Sequence, residues 1–287
     1  MFATWRSGWR ALQARRERAS VQRRAIPDDL WKRTLVRYPF LQRRDLVDAA
    51  ELRRLTSLFL DRKEFTCTGG LRLTDAMAVA IAAQAALPVL RLGLQAYDRF
   101  VGIVIHPDAV VARRSQQDED GVVHEYDETL AGEAMEGGPV MLSWPDVRRA
   151  GHSAAQGYNV VIHEFAHVLD MAGGWSECIA KDAADRLPLL PANLPATEWS
   201  ATLKQDFESF VRRVNAGDST ALDPYGATAE EEFFAVASEC FFVNPAAMQA
   251  EHAVERCMFI LHCDRVDEET LAGDGEKFFF CGGAIRV

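Results

Sequence analysis

The sequence predicts an α+β fold that is predominantly helical, with a small β-sheet beside a helix that carries the motif His-Glu-x-x-His. Three observations support this prediction. Long segments repeat apolar residues at the 3.6-residue spacing of helices. Short runs rich in β-branched residues, between residues 101 and 144, are typical of strands. The motif itself, at residues 163–167, follows the apolar residues 160–162 within one of the helical segments.

The first third of the chain is predicted to be helical over residues 28–64 and again from Met77 to Leu87. The first region contains leucines at helical spacing, and Gly69-Gly70 interrupts the pattern. Thr74 or Asp75 can cap the start of the second helix, which ends before Pro88.

Four short runs are strand-like and are expected to form one small sheet: residues 101–105, 110–111, 122–126 and 140–144. The acidic residues 118–121 are predicted to form a turn between two of these strands. Residues 175–200 contain three prolines. We predict that they form a long loop after the motif helix, in a position to cover the site.

The motif at residues 163–167 is suited to binding a metal ion. Positions i and i+4 lie on one helix face, so His163 and His167 can bind one Zn²⁺ together. Glu164 then lies beside the open coordination position as a general base. The alternative is two surface histidines on an amphipathic helix. We favour the metal, because Phe165 and Leu169 make the helix apolar on its other faces and buried polar groups without partners are costly.

A zinc site of this kind needs a third protein ligand. The metzincin pattern would require Gly at position 170 and His at position 173, and the sequence has Asp170 and Gly173 instead, which excludes that class. We predict that Glu232, in a second apolar helical segment, is the third ligand. The alternative is that Glu232 only favours the positive end of its helix. Asp170 either orients a ligand histidine or forms a local salt bridge.

The second helical segment is predicted to begin at Thr228. Its side chain can cap the helix, and Glu231, three residues later, would complete a capping box. Glu232 then shares one stripe of the helix with Ala235 and Glu239. The small Ala235 would allow this helix to approach the motif helix closely.

Several segments together resemble the Mlc titration factor A family of bacterial zinc peptidases, whose catalytic core is similar to the peptidase domain of anthrax lethal factor. The similarity runs from about residue 26 to about residue 245 and is carried by residues 62–65, 69–74, 84–90, 144–147, 159–167 and 232–239. The resemblance implies a zincin-like metallopeptidase fold. It also implies one Zn²⁺ per chain, bound by His163, His167 and Glu232, with Glu164 as the base that activates water.

The resemblance also gives a role to a tyrosine. In both related groups a tyrosine stands seven residues before the glutamate ligand, and here Tyr225 stands seven before Glu232. The resemblance implies that Tyr225 donates a hydrogen bond to the developing oxyanion. The residues alone equally allow a loop tyrosine in the turn 223–226. The implied activity is that of an aminopeptidase-like enzyme acting on peptides from the amino end.

Two other classes of function remain open. The family is named for binding the glucose repressor Mlc, which implies a regulatory protein that sequesters an Mlc-like, DNA-binding repressor and so affects sugar uptake. Peptidase activity would then be secondary or latent. The third class is a structural zinc site without turnover. Glu164 and Tyr225 argue against it, because a structural site needs neither.

Charge and resemblance together divide the chain into three parts. Residues 1–50 carry 12 Lys and Arg against 5 Asp and Glu, whereas the whole chain has a net charge of −10. We predict a basic N-terminal leader (1–25), a zinc metallopeptidase domain (26–245) and a divergent C-terminal tail (246–287) that packs on or near the domain. The leader is interpreted as a solvated helix; the alternatives are a membrane-surface segment, a nucleic-acid contact or a transit peptide.

Composition predicts a soluble, cytoplasmic protein with no direct nucleic-acid partner. The chain is 48% hydrophobic but contains no apolar run long enough to span a membrane, which takes about 18 residues or more. Its six cysteines form no Cys-x-x-Cys pair, which favours a reducing compartment. The acidic remainder of the chain disfavours DNA as a ligand.

Overall fold

The computed structural model describes residues 2–117, 123–173 and 196–250. The predicted turn at residues 118–121, the predicted loop up to residue 195 and the tail after residue 250 lie outside these ranges. Residues 196–200, which were predicted to belong to the loop, are helical. That boundary was wrong because no proline follows Pro195 and the sequence after it supports a long helix.

Helices account for most of the described residues: α1 (Phe2–Arg23), α2 (Asp28–Arg37), α3 (Leu46–Arg62), α4 (Asp75–Ala86), α5 (Trp144–Ser153), α6 (Val160–Gly173), α7 (Ala196–Ala216), α8 (Glu230–Val243) and α9 (Pro245–Ala250). The helical region predicted over 28–64 is confirmed as α2 and α3. The predicted helix from Met77 is α4, and Thr74 caps it by accepting a hydrogen bond from the Met77 N–H at 3.3 Å.

The main sheet has four strands in the order β1 (Glu64–Cys67), β2 (Gly102–His106), β6 (Val140–Ser143) and β5 (Gly132–Ala134). β1, β2 and β6 are parallel, and β5 pairs antiparallel with β6 at the edge. The other two strands, β3 (Val110–Gln117) and β4 (Val123–Leu130), form a separate antiparallel hairpin. The α+β fold class is therefore confirmed.

The expectation of one sheet made from the four strand-like runs is wrong. β3 and β4 pair with each other, and the main sheet is completed by β1 and β5, which were not predicted. β1 directly follows α3, so its first residue, Glu64, was read as the end of the helical region, and its other three residues were not assigned to a strand. β5 has only three residues, too few to show an alternating pattern.

A cluster of aromatic side chains holds α6 in the core. The Phe165 ring is fully buried and lies 5.6 Å from Phe59, 5.0 Å from Tyr97 and 5.3 Å from Phe100, measured between ring centroids. α6 also packs against α8, α4, α5 and the edge strand β5. The prediction of a buried motif helix is confirmed, and the aromatic cluster fixes which face of α6 is turned away from the core.

The predicted leader is helical, as α1, and it contacts α3. Glu17 lies 3.1 Å from Arg54 and 3.2 Å from Arg62, and Arg23 lies 2.8 Å from Asp61. Exposed ion pairs of this kind contribute at most about 1 kcal/mol each. None of the helices in the described ranges is both long and apolar enough to cross a membrane.

We expect Phe165→Ala to lower the free energy of unfolding by about 3–5 kcal/mol, because it leaves a cavity among the surrounding rings. Val36→Ala, at a position that is 75% exposed, should change it by less than about 0.5 kcal/mol. Urea unfolding of both variants measures the difference. Equal stability of the two would contradict the anchoring role of the cluster.

Candidate metal centre

Asn159 starts the helix that carries the motif. Its side-chain oxygen accepts a hydrogen bond from the Ile162 N–H at 3.0 Å, and its carbonyl accepts one from the His163 N–H at 3.0 Å. Asn159 is fully buried, so these bonds are protected from water. The helix that follows places His163 and His167 one turn apart on the face that is turned towards α8.

The structure brings together the three residues that were predicted to bind metal. The two Nε2 atoms of His163 and His167 lie 3.1 Å apart. Glu232 Oε2 lies 3.2 Å from His163 Nε2 and 3.5 Å from His167 Nε2. Ligand atoms at zinc-bond lengths in a tetrahedron are separated by about 3.3 Å. The spacing of the three atoms therefore fits a tetrahedral zinc site.

Glu232 is placed by the first turn of α8. The helix begins at Glu230 after Ala229, which makes no side-chain cap. The prediction that Thr228 caps the helix and pairs with Glu231 in a capping box is therefore wrong. The Thr228 hydroxyl donates instead to the Tyr225 carbonyl at 2.7 Å, because a 3₁₀ turn (Pro224–Ala227) precedes the helix.

The charges in this cluster also fit a cation. Glu232 Oε2 is buried and accepts no hydrogen bond of good geometry from the residues that the structure describes, although two imidazoles lie close to it. Burial opposes ionisation of Glu232, yet the two histidines lower the pKa of its carboxyl to about 2. Burial likewise disfavours the charged form of His163, but Glu239 and Glu232 raise its pKa well above the ordinary value. A buried anion beside two nitrogen ligands favours a metal ion in their midst.

Glu164 lies against the edge strand of the sheet. An added Cβ on Gly132 would lie only 2.7 Å from Glu164 Cγ and Oε1, so β5 can approach this close only with glycine at that position. Burial raises the pKa of Glu164 to about 7, despite the opposing effect of the two histidines. A carboxylate poised near neutral pH is suited to accept and return a proton.

Tyr225 lies at the border of the cleft that contains His163, His167 and Glu232. Its side chain is 47% exposed, and its ring centroid lies 6.3 Å from that of His163. Asp223 holds the backbone of the turn by accepting from the Tyr225 N–H at 2.9 Å. The phenol therefore lies close to the three predicted metal ligands and to Glu164.

The cleft has a volume of about 670 Å³ and combines α6, α8, β5 and the 3₁₀ turn. Seven carboxyl side chains line it and, in the described part of the chain, no Lys or Arg does: Glu133, Glu164, Asp170, Asp223, Glu231, Glu232 and Glu239. Asp170 is buried in this lining. The cleft therefore favours ligands that carry positive charge.

Sequence reasoning gave no role to three residues that shape the site. Glu239 Oε1 lies 2.7 Å from His163 Nδ1, on the side of the ring opposite the ligand atoms. A glutamate inside an apolar helix, two turns after Glu232, was the available signal. Gly132 and Asn159 had no comparable signal, because their roles depend on contacts with distant segments.

Comparison with known proteins agrees with this geometry. Residues 11–254 match the family described as glucose-regulated metallo-peptidase M90. An uncharacterized protein of Synechocystis sp. is 32% identical over 83% of this chain and 83% of its own length. Mlc titration factor A of Klebsiella pneumoniae is 33% identical over 75% of this chain and 78% of its own. That of Escherichia fergusonii is 33% identical, with 72% and 75% covered.

We expect the protein to bind one Zn²⁺ and Glu232→Ala to weaken that binding by more than about 100-fold, because it removes one of three protein ligands. Glu231→Ala is the matched control, since its exposed side chain lies next to Glu232 on the same helix turn. Competition with a chromophoric chelator measures both affinities. Equal zinc affinity in the two variants would rule out Glu232 as a ligand.

Proposed function

We propose that this chain, which belongs to the glucose-regulated metallo-peptidase M90 family, is a zinc-dependent peptidase that cleaves peptides from the amino end. The observation that carries the proposal is the convergence of two imidazole nitrogens and one carboxylate oxygen beside the buried Glu164. A purely structural zinc site would have no use for a buried base next to an open cleft.

The residues of the cleft have distinct tasks in this proposal. His163, His167 and Glu232 would hold the metal. Bound Zn²⁺ would polarise the scissile carbonyl and make water a nucleophile near neutral pH.

The Glu164 carboxylate accepts a proton from the attacking water and then delivers it to the leaving amine. The Tyr225 hydroxyl donates a hydrogen bond to the oxygen on which negative charge develops. Both side chains border the same cleft as the ligand set.

The edge strand β5 is the natural partner for the substrate backbone. Among the described residues, β5 pairs with β6 on one side only, and residues 131–134 line the cleft next to Glu164. An extended peptide can add to such an edge through backbone hydrogen bonds, with its scissile bond close to the base. Gly132 keeps the distance between this strand and Glu164 short.

The acidic lining supports a preference for the amino end of the substrate. A free amino terminus is positively charged, and the exposed carboxylate of Glu231 lines the cleft where it can bind this charge. A hydrogen bond to a charged group contributes about 1.5–3 kcal/mol. A neutral or acidic end would lose this contribution and would also meet unfavourable charge.

We expect Glu164→Gln to lower kcat by at least about 100-fold while zinc binding is retained, because the amide cannot accept the proton from water. Hydrolysis of aminoacyl reporters, together with zinc content, measures both properties. Glu51→Gln, which changes a half-buried carboxylate paired with Arg54 outside the cleft, should retain full activity. Unchanged turnover in Glu164→Gln would rule out its role as the base.

We expect reporters with a free amino end to be cleaved with a kcat/KM about 10–100-fold higher than that of their N-acetylated forms, because acetylation removes the positive charge. Glu231→Gln should reduce this ratio, because it removes the exposed carboxylate that is proposed to bind the amino end of the substrate. A ratio near one in wild type would contradict the amino-end preference. Turnover of both reporters would still leave the metallopeptidase assignment intact.

The second candidate function is regulation by binding. The relatives named Mlc titration factor A suggest a DNA-binding repressor as a partner, and with it a link to the regulation of sugar uptake. The proposed location of the protein is the cytoplasm. The zinc-binding but inactive Glu164→Gln protein separates the two functions. Capture of a purified repressor by this variant would support binding that does not depend on catalysis.

A further inference from the structure

A chain of buried hydrogen bonds connects α4 to His163 and has no part in the proposed reaction. Gln84 is fully buried on α4, and its Oε1 accepts a hydrogen bond from Asn159 Nδ2 at 2.9 Å. The Asn159 N–H donates to Glu239 Oε2, and Glu239 Oε1 lies 2.7 Å from His163 Nδ1. We call Gln84, Asn159 and Glu239 the Gln84 relay. Gln84 itself does not line the cleft.

The orientations of the Asn159 and Gln84 amides are fixed by backbone groups that can only donate or only accept a hydrogen bond. The Ile162 N–H is a donor, so the Asn159 atom 3.0 Å from it is the carbonyl oxygen and the Asn159 amide NH₂ faces Gln84. Gln84 therefore presents its oxygen, and its own NH₂ donates to the Ala80 carbonyl at 2.9 Å. The Asn159 N–H also requires an acceptor, which Glu239 supplies.

We propose that the Gln84 relay positions His163 for metal binding by holding a hydrogen on Nδ1, which leaves Nε2 as the free acceptor. A neutral imidazole has one N–H and one acceptor nitrogen, so a partner that fixes the first also fixes the second. His163 Nε2 is the atom that faces Glu232 and His167. This inference rests on the metal site of the proposed function.

The relay also connects ring orientation to the start of α6. Asn159 caps the helix with its side chain and holds Glu239 with its backbone N–H, so one residue sets both the helix origin and the carboxylate. Gln84 fixes the Asn159 amide from a different helix. Gln84 and Asn159 are therefore positioning residues: Asn159 acts on His163 through Glu239 and through the start of α6, and Gln84 acts through Asn159.

Two substitutions test the relay at different distances from the metal. Glu239→Gln should weaken zinc binding by about 10–100-fold, because one amide cannot accept hydrogen bonds from both the Asn159 N–H and the His163 Nδ1–H. Gln84→Met keeps the size of the side chain but removes the acceptor for Asn159. It should weaken zinc binding by at least about threefold, a smaller loss because it acts at a distance.

Tyr97→Phe is the matched control. The Tyr97 hydroxyl donates to the Ala85 carbonyl at 3.0 Å, so this variant also removes one buried hydrogen bond to α4, next to Gln84 but outside the relay. It should lower the thermal stability of the metal-free protein without changing zinc affinity. Chelator competition and thermal unfolding of the full chain measure the two properties separately.

A spectroscopic measurement reports on the ring directly. In ¹⁵N-histidine spectra of the zinc-loaded wild type, we expect a slowly exchanging proton on His163 Nδ1, and faster exchange in Gln84→Met. Wild-type affinity and wild-type exchange in the folded Gln84→Met protein would overturn the inference and leave only a structural role. A wild-type protein that binds no zinc would overturn the proposed function as well.

Discussion

The site depends on one electrostatic constraint, the convergence of three acceptor atoms within 3.5 Å of each other in a partly buried space. The nitrogen lone pairs of two neutral imidazoles and a carboxylate oxygen repel each other unless a cation or a proton lies between them. The two histidines lower the pKa of the Glu232 carboxyl, and Glu239 and Glu232 raise the pKa of His163. A divalent metal satisfies all three atoms at once.

The fold provides this convergence by anchoring two helices and packing them against each other. The rings around Phe165 anchor the buried face of α6, and Asn159 anchors its N-terminal end. α8 is anchored at its C-terminal end, where the Arg43 guanidinium donates a hydrogen bond to the Val243 carbonyl at 3.0 Å. Because α6 and α8 also pack against each other and are joined by the hydrogen bond from the Asn159 N–H to Glu239, the fold itself brings His163, His167 and Glu232 together.

The sequence indicated which side chains the structure brings together where the information is local. His163, Glu164 and His167 lie within one helix turn, and Glu232 could be chosen because it stands in an apolar segment with a small neighbour. The strand β5 and its Gly132 were not predicted, because a three-residue strand is too short to show an alternating pattern. The contact between Gln84 and Asn159 was not predicted either, because residues 75 positions apart in the sequence show no spacing pattern that indicates a contact. The capping box failed because the turn before α8 already used the Thr228 hydroxyl.

Glu232 and Glu239 illustrate why residue type alone does not assign a role. They stand two turns apart on one helix, and both contact the His163 ring, one at Nε2 and the other at Nδ1. Glu232 is 20% exposed at the cleft, and its carboxyl has a lowered pKa; Glu239 is 2% exposed, and burial raises its pKa. The more exposed carboxylate is available to an ion that enters from solvent. The buried one contacts the ring and the Asn159 N–H, so in the proposed site the first is the ligand and the second supports the ring.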